Sequence, residues 1–81
     1  MRMSIGFYGQ IAALFGGRAE LEVPELGLPV YGLRAMLAGR YDVDAVLQRS
    51  MRAAVNDEVV AETHVVRPGD TVEFMSPVSG G

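Results

Sequence analysis

The sequence closes on Ser76-Pro77-Val78-Ser79-Gly80-Gly81, and this run holds the residues best suited to chemistry. Glycine loses the most conformational freedom on ordering and buries no side chain, so Gly80 and Gly81 contribute little to a folded domain. They suit passage instead. With no Cβ at Gly80 or Gly81, the backbone of the last two residues fits a channel too narrow for any other residue type, and the small Ser79 precedes them on the same path. The six residues beyond Met75 reach about 20 Å at ~3.3–3.6 Å each, enough to carry a terminal carboxylate into another protein's pocket. Pro77 stiffens the base of this tail and lowers the entropy lost on insertion. Pro77 and Val78 are expected to touch partners, from their place on the tail. A carboxylate on Gly81 is a poor electrophile until it is activated, for instance as a mixed anhydride with AMP. Sulfur can then replace the nucleotide. The resulting thiocarboxylate is anionic at neutral pH and a far better nucleophile than the carboxylate.

Elsewhere no Ser–His–Asp set, glycine-rich phosphate loop or paired acids stand out. The chain has no cysteine, which excludes disulfides, thiolate catalysis, Fe–S clusters and Cys-based zinc sites. Its one histidine, His64, cannot build a conventional metal site alone and reads as a loop residue. Asp70 reads as turn geometry, and Arg52 and Arg67 as solvated charges. No bound cofactor or metal is expected. All seven basic residues are arginine. A GC-rich coding sequence accounts for that, and an activated acyl group also gains from the absence of nucleophilic lysines. A net charge of −3 with no basic stripe argues against nucleic acid. No apolar run approaches a membrane span, and MRMSIGFYGQ lacks the pattern of a signal peptide, so a cytoplasmic protein is the expectation.

The elements that must carry the tail are legible from periodicity. Met3, Ile5 and Phe7 alternate with Ser4, Gly6 and Tyr8 as a half-buried first strand, which Gly9-Gln10 breaks. Tyr8 thereby faces away from the core. Ile11, Leu14 and Phe15 form a short helix ended by Gly16-Gly17. Ala19, Leu21 and Val23 alternate with Arg18, Glu20 and Glu22 as a second strand, stopped by Pro24. Residues 24–29 read as a loop. Val30, Leu33 and Leu37, with Met36 alongside, predict an amphipathic helix with Gly39 as its end. Residues 42–50 read as another short helical turn. Met51, Ala53 and Val55 alternate with Arg52 and Ala54 as a third strand, Asn56-Asp57 makes a tight turn, and Val59-Val60 starts a short return strand. After the Arg67-Pro68-Gly69-Asp70 turn, residues 71–75 form a last strand with Val72 and Phe74 inward and Met75 outward beside the tail.

A single main helix after an initial hairpin must cover one face of a mixed sheet of about five strands. This is an α+β, ubiquitin-like β-grasp arrangement, with residues 1–75 as the domain and residues 76–81 as a flexible, extended tail.

These residues resemble the MoaD/ThiS sulfur carriers, which share their activation logic with ubiquitin. The resemblance covers nearly the whole chain. Within that group, Val55-Asn56-Asp57-Glu58-Val59-Val60, Arg67-Pro68-Gly69-Asp70-Thr71-Val72-Glu73-Phe74 and Pro77-Val78-Ser79-Gly80-Gly81 are similar to the molybdopterin synthase small subunits. So is the opening Phe7-Tyr8-Gly9-Gln10-Ile11-Ala12-Ala13-Leu14-Phe15-Gly16-Gly17. Family members often carry two prolines before Val-Ser-Gly-Gly, whereas here Ser76 precedes Pro77. The resemblance implies that an E1-like adenylating enzyme activates Gly81 with ATP and that a sulfurtransferase donor converts it to a thiocarboxylate. The tail would then enter the large synthase subunit and deliver sulfur to cyclic pyranopterin monophosphate in molybdenum cofactor biosynthesis. A heterotetramer is implied, two small subunits on a dimer of large ones that hold the catalytic side chains. Tyr8 and Met75, outward by alternation, join Pro77 and Val78, on the tail, as the expected partner contacts, a reading that rests on their positions in this sequence. Sulfur carriage for thiamine, cysteine or tRNA thiolation remains open, as does a non-catalytic β-grasp interaction module.

Overall fold

The computed structural model describes residues 1–9, 11–41, 44–47 and 50–75. The chain opens with an antiparallel hairpin of β1 (Arg2–Tyr8) and β2 (Arg18–Glu22), joined through the short helix α1 (Ile11–Phe15). Alternation along both strands buries Met3, Ile5 and Phe7 together with Ala19 and Leu21. The expected break at Gln10 lies outside the described residues, and so does the side chain of Leu14.

The loop expected over residues 24–29 contains a two-residue strand, β3 (Leu28–Pro29), which leads into α2 (Val30–Tyr41). A single turn of 3-10 helix, Asp44–Leu47, follows. Then come β4 (Arg52–Val55), β5 (Glu58–Val59), β6 (Val65–Val66) and β7 (Val72–Met75). Strands β3 and β6 pair with each other in a small second sheet. Neither was expected, because two residues are too few to show a period. Gly27 permits this pairing. Its φ of 87° favours glycine, and any side chain there would collide with the Val66 carbonyl oxygen.

The main sheet has five strands in the order β2-β1-β7-β4-β5. β1 and β7 run parallel and all its other pairs are antiparallel. α2 covers one face, and the core forms between them from Ile5, Val30, Leu33, Leu37, Val72 and Phe74, all essentially inaccessible. This is the ubiquitin-like β-grasp fold, an α+β architecture with a mixed five-stranded sheet gripped by one main helix. The Asn56-Asp57 turn has positive φ at both residues, 52° and 71°, matching the twist of the β4–β5 hairpin.

Three local expectations are corrected. α2 does not end at Gly39 but continues to Tyr41, whose ring meets Phe15 edge-on at 5.3 Å and holds the last turn. Ala54, placed outward by alternation, is buried because it lies between Glu73 and Val59 on the flanking strands and is too short to rise above them. On α2 the fourth buried position is Arg34, not Met36, which is half-buried.

Candidate functional site

The candidate site is the root of the tail. β7 lies between β1 and β4, so the chain reaches residue 76 from the centre of the sheet rather than from an edge. Two backbone ladders, one to β1 and one to β4, hold that strand. Met75 is in register with Tyr8 on one side and Arg52 on the other, and all three lie on the face opposite α2. Tyr8 is exposed and Met75 half-buried. The tertiary structure thus brings together the two body residues, Tyr8 and Met75, singled out from the sequence. Pro77, Val78, Ser79, Gly80 and Gly81 lie outside the described residues.

Glu73, two residues earlier on β7, shares this face. Tyr8 Oη donates to Glu73 Oε2 at 2.9 Å. That hydrogen bond, with the carboxylate's negative charge, holds the Tyr8 phenol above its ordinary value. Gly6 sits in register between Arg18 and Glu73. A Cβ there would stand 3.2 Å from Arg18 Nη1 and 3.4 Å from Glu73 Cγ, so the glycine lets these two charged side chains close over β1. Arg18 also donates to Ser4 Oγ from Nε at 3.1 Å and from Nη2 at 2.9 Å. The open face around the root is therefore a set of hydrogen-bonded polar side chains around Met75. It offers contact and orientation. Among the described residues, no group of three or more His, Asp or Glu is placed to hold a metal ion.

Behind the root lies the residue that sequence reasoning missed. Arg34 is 4% exposed. Its Nε and Nη2 donate to the two carboxylate oxygens of Glu62 at 2.8 and 2.9 Å. Nη1 donates to the Val46 carbonyl at 2.7 Å, and Nη2 also donates to the Met51 carbonyl. The guanidinium lies 5.1 Å from the centroid of Phe74, the residue before Met75. One side chain thus joins the 3-10 turn, the start of β4 and the segment after β5 to the back of β7. A signal existed: residues 30, 33, 34 and 37 follow the i, i+3, i+4, i+7 stripe of a buried helix face.

The turn before β7 is also built from side chains. Asp70 Oδ2 accepts from the Arg67 N–H at 2.8 Å, and Oδ1 accepts from Asn56 Nδ2 at 3.2 Å. Asn56 Oδ1 in turn accepts from the Thr71 N–H at 3.0 Å. The Arg67 hydrogen bond, then the Asn56 one, lower the Asp70 pKa. Asp70 is turn geometry, as its place in Arg67-Pro68-Gly69-Asp70 implied. His64 is exposed, and its carbonyl accepts from the Val30 N–H at 3.0 Å at the start of α2. No helix among the described residues is long and apolar enough to cross a membrane.

Comparison with solved structures agrees with this architecture. SAMP1 from Haloferax volcanii superposes with a TM-score of 0.79 at 21% identity, over 100% of both chains. A putative molybdopterin converting factor, subunit 1, from Pyrococcus furiosus matches at 0.77 and 21%, over 96% of this chain and 99% of that one. A protein–protein complex of subunits 1 and 2 of molybdopterin-converting factor from Helicobacter pylori matches at 0.68 and 20%, over 100% of both chains. At these identities the likeness establishes the fold. The ThiS family model matches residues 5–81, nearly the full sequence, and the chain therefore belongs to the ThiS family.

Proposed function

We infer that this chain is a sulfur carrier acting as the small subunit of a molybdopterin synthase, with Gly81 as the carrying residue. The observation that carries the sulfur-carrier part of this reading is the ThiS family match, which runs over residues 5–81. The β7 geometry supports it, since the strand that leads to the tail is central in the sheet and Tyr8 and Arg52 flank Met75 on an open face. The Helicobacter pylori complex of two converting-factor subunits supports a large-subunit partner.

In this reading the Gly81 carboxylate attacks the α-phosphorus of ATP on an E1-like adenylating enzyme, and pyrophosphate leaves. A sulfur nucleophile from a sulfurtransferase adds to the acyl carbon, forming the C–S bond as AMP departs. Where the sulfur arrives as a persulfide, a thiol reduces the resulting acyl disulfide to the thiocarboxylate. Gly80 and Ser79 let the end thread the large subunit's channel, where sulfur passes to cyclic pyranopterin monophosphate. No cofactor stays on the carrier. The likeness to SAMP1 favours a second reading in which the same activated end serves another acceptor.

Intact-mass analysis after incubation with an adenylating enzyme, ATP and a sulfur donor tests the carrier chemistry. One oxygen-to-sulfur exchange at Gly81 is expected, and a chain lacking Gly81 should stay unchanged. Mixing the thiocarboxylated protein with a large synthase subunit and precursor tests the product. Dithiolene formation supports the first reading, and tight binding without dithiolene supports the second.

A further inference from the structure

β2 is an edge strand whose free edge is only partly closed. Its bonds to β1 use alternate residues: Phe7 N–H donates to the Gly17 carbonyl, and Val23 N–H to the Met1 carbonyl. Alternation then turns the N–H and C=O of Arg18, Glu20 and Glu22 away from the sheet. Among the described residues only the Glu20 groups find a partner. The Tyr41 hydroxyl accepts from Glu20 N–H and donates to Glu20 C=O, each at 3.3 Å. These are long, solvent-facing bonds. Beneath the edge, a groove of about 500 Å³ runs between β2 and the last turns of α2. Leu21, Met36 and the Tyr41 ring give it an apolar floor, and Arg40 stands on its α2 side.

We propose that this edge and groove dock an extended segment of a partner protein, added to the sheet as a further strand. Its apolar side chains at alternate positions turn into the groove, and a carboxylate meets Arg40. Outward backbone groups recurring every second residue match an extended chain, whose main-chain hydrogen bonds supply affinity while alternate side chains supply specificity. The charges select the segment's character. On its β2 side the groove is lined by Arg2, Glu20 and Glu22, where Arg2 lies 3.7 Å from Glu20 and 3.8 Å from Glu22, and the Met1 amino group lies 3.2 Å from Glu22. Those carboxylates are compensated. Arg40 has no ion pair among the described residues, so it is the charge an incoming anion would meet. A second copy of this chain fits less well. Antiparallel pairing centred on Glu20 would set the two Glu20 carboxylates directly opposite each other. Tyr41 then acts as a displaceable plug, with its ring resting on Phe15 and its hydroxyl covering the strand position the partner would take.

The site is independent of the tail, and so is its test. The probe is a capped synthetic peptide with valines at alternate positions followed by an aspartate, titrated into the isotope-labelled full chain and followed by NMR. Saturable shifts at the Arg18, Glu20 and Glu22 amides are expected, with slowed hydrogen exchange at Arg18 and Glu22. Arg40→Glu should weaken binding about tenfold. Tyr41→Phe should tighten it about threefold, because the Glu20 groups are then already vacant. A proline at the peptide's centre should abolish it. Unmoved β2 amides at millimolar peptide would overturn the proposal, as would indifference to both substitutions. Shifts at β2 that follow protein concentration without peptide would also overturn it, by giving the edge to a second copy.

Discussion

Tyr8 and Glu73 meet across the parallel β1–β7 pair, phenol to carboxylate at 2.9 Å, on the open face of the sheet and beside the strand end that launches the tail. A hydrogen bond between side chains of two adjacent strands sets the ring's direction, and Tyr8 is itself the register partner of Met75. The phenol's position is therefore set from β7 itself, the strand that carries Met75.

This pair predicts a pH dependence. Glu73 hydrogen-bonds and electrostatically favours the neutral phenol, so the Tyr8 pKa lies above the ordinary 10.0 in the folded chain. A raised folded pKa contributes stability below the unfolded value, and that contribution is lost as pH rises through the folded one. Carbon NMR of the Tyr8 ring should show a midpoint above the ordinary value, and Glu73→Gln should bring it down. An unchanged midpoint in that variant would count against the hydrogen bond.

Arg34 predicts a stability effect without a catalytic one. Arg34→Ala leaves the Glu62 carboxylate and the Val46 and Met51 carbonyls without their donor, and should cost about 3 kcal/mol in denaturant unfolding. Glu62 is 38% exposed, so water screens its charge and Glu62→Gln should cost only about 1 kcal/mol. Equal losses for the two variants would contradict this asymmetry.

Asp70 links acid stability to the turn that starts β7. Its pKa is depressed by the Arg67 N–H and by Asn56, so its contribution is present above the unfolded value near 3.8. It is lost as pH falls through the lower folded value. Asp70→Asn should remove this acid limb from a plot of unfolding free energy against pH, and Asp70→Ala should cost about 1 kcal/mol near neutrality.

Gly27 predicts a backbone effect far from the tail. Gly27→Ala combines a φ of 87° with a collision against the Val66 carbonyl, and backbone cannot move aside as a flexible side chain can. A loss of about 2 kcal/mol or more is expected in thermal or denaturant unfolding. Gly39→Ala is the control. A Cβ at Gly39 meets nothing within 4 Å, so that change should be neutral or stabilising by about 1 kcal/mol.

Several features were legible because they rest on local physics. Alternation at Met3, Ile5 and Phe7 and at Ala19, Leu21 and Val23 announces two half-buried strands, since side chains on a strand repeat every second residue. The Asn56-Asp57 and Arg67-Pro68-Gly69-Asp70 turns are written in residue types that suit their backbone angles. The terminal glycines mark themselves by having no side chain to pack. Other features depend on partners distant in sequence. The β3–β6 pair exists because two dipeptides meet across the fold, and neither has a period of its own. Arg34 can be buried only because Glu62 and the carbonyls of Val46 and Met51 converge on it, and no local pattern names those partners. Glu73 acquires its role from Tyr8, far away in the chain but on the adjacent strand. The sequence by itself determined the longer strands, the main helix and the Gly80-Gly81 end, because propensity and periodicity act over a few residues. Only the tertiary structure decided that the tail starts at the centre of the sheet between Tyr8 and Arg52, because strand order is fixed by burying one shared core.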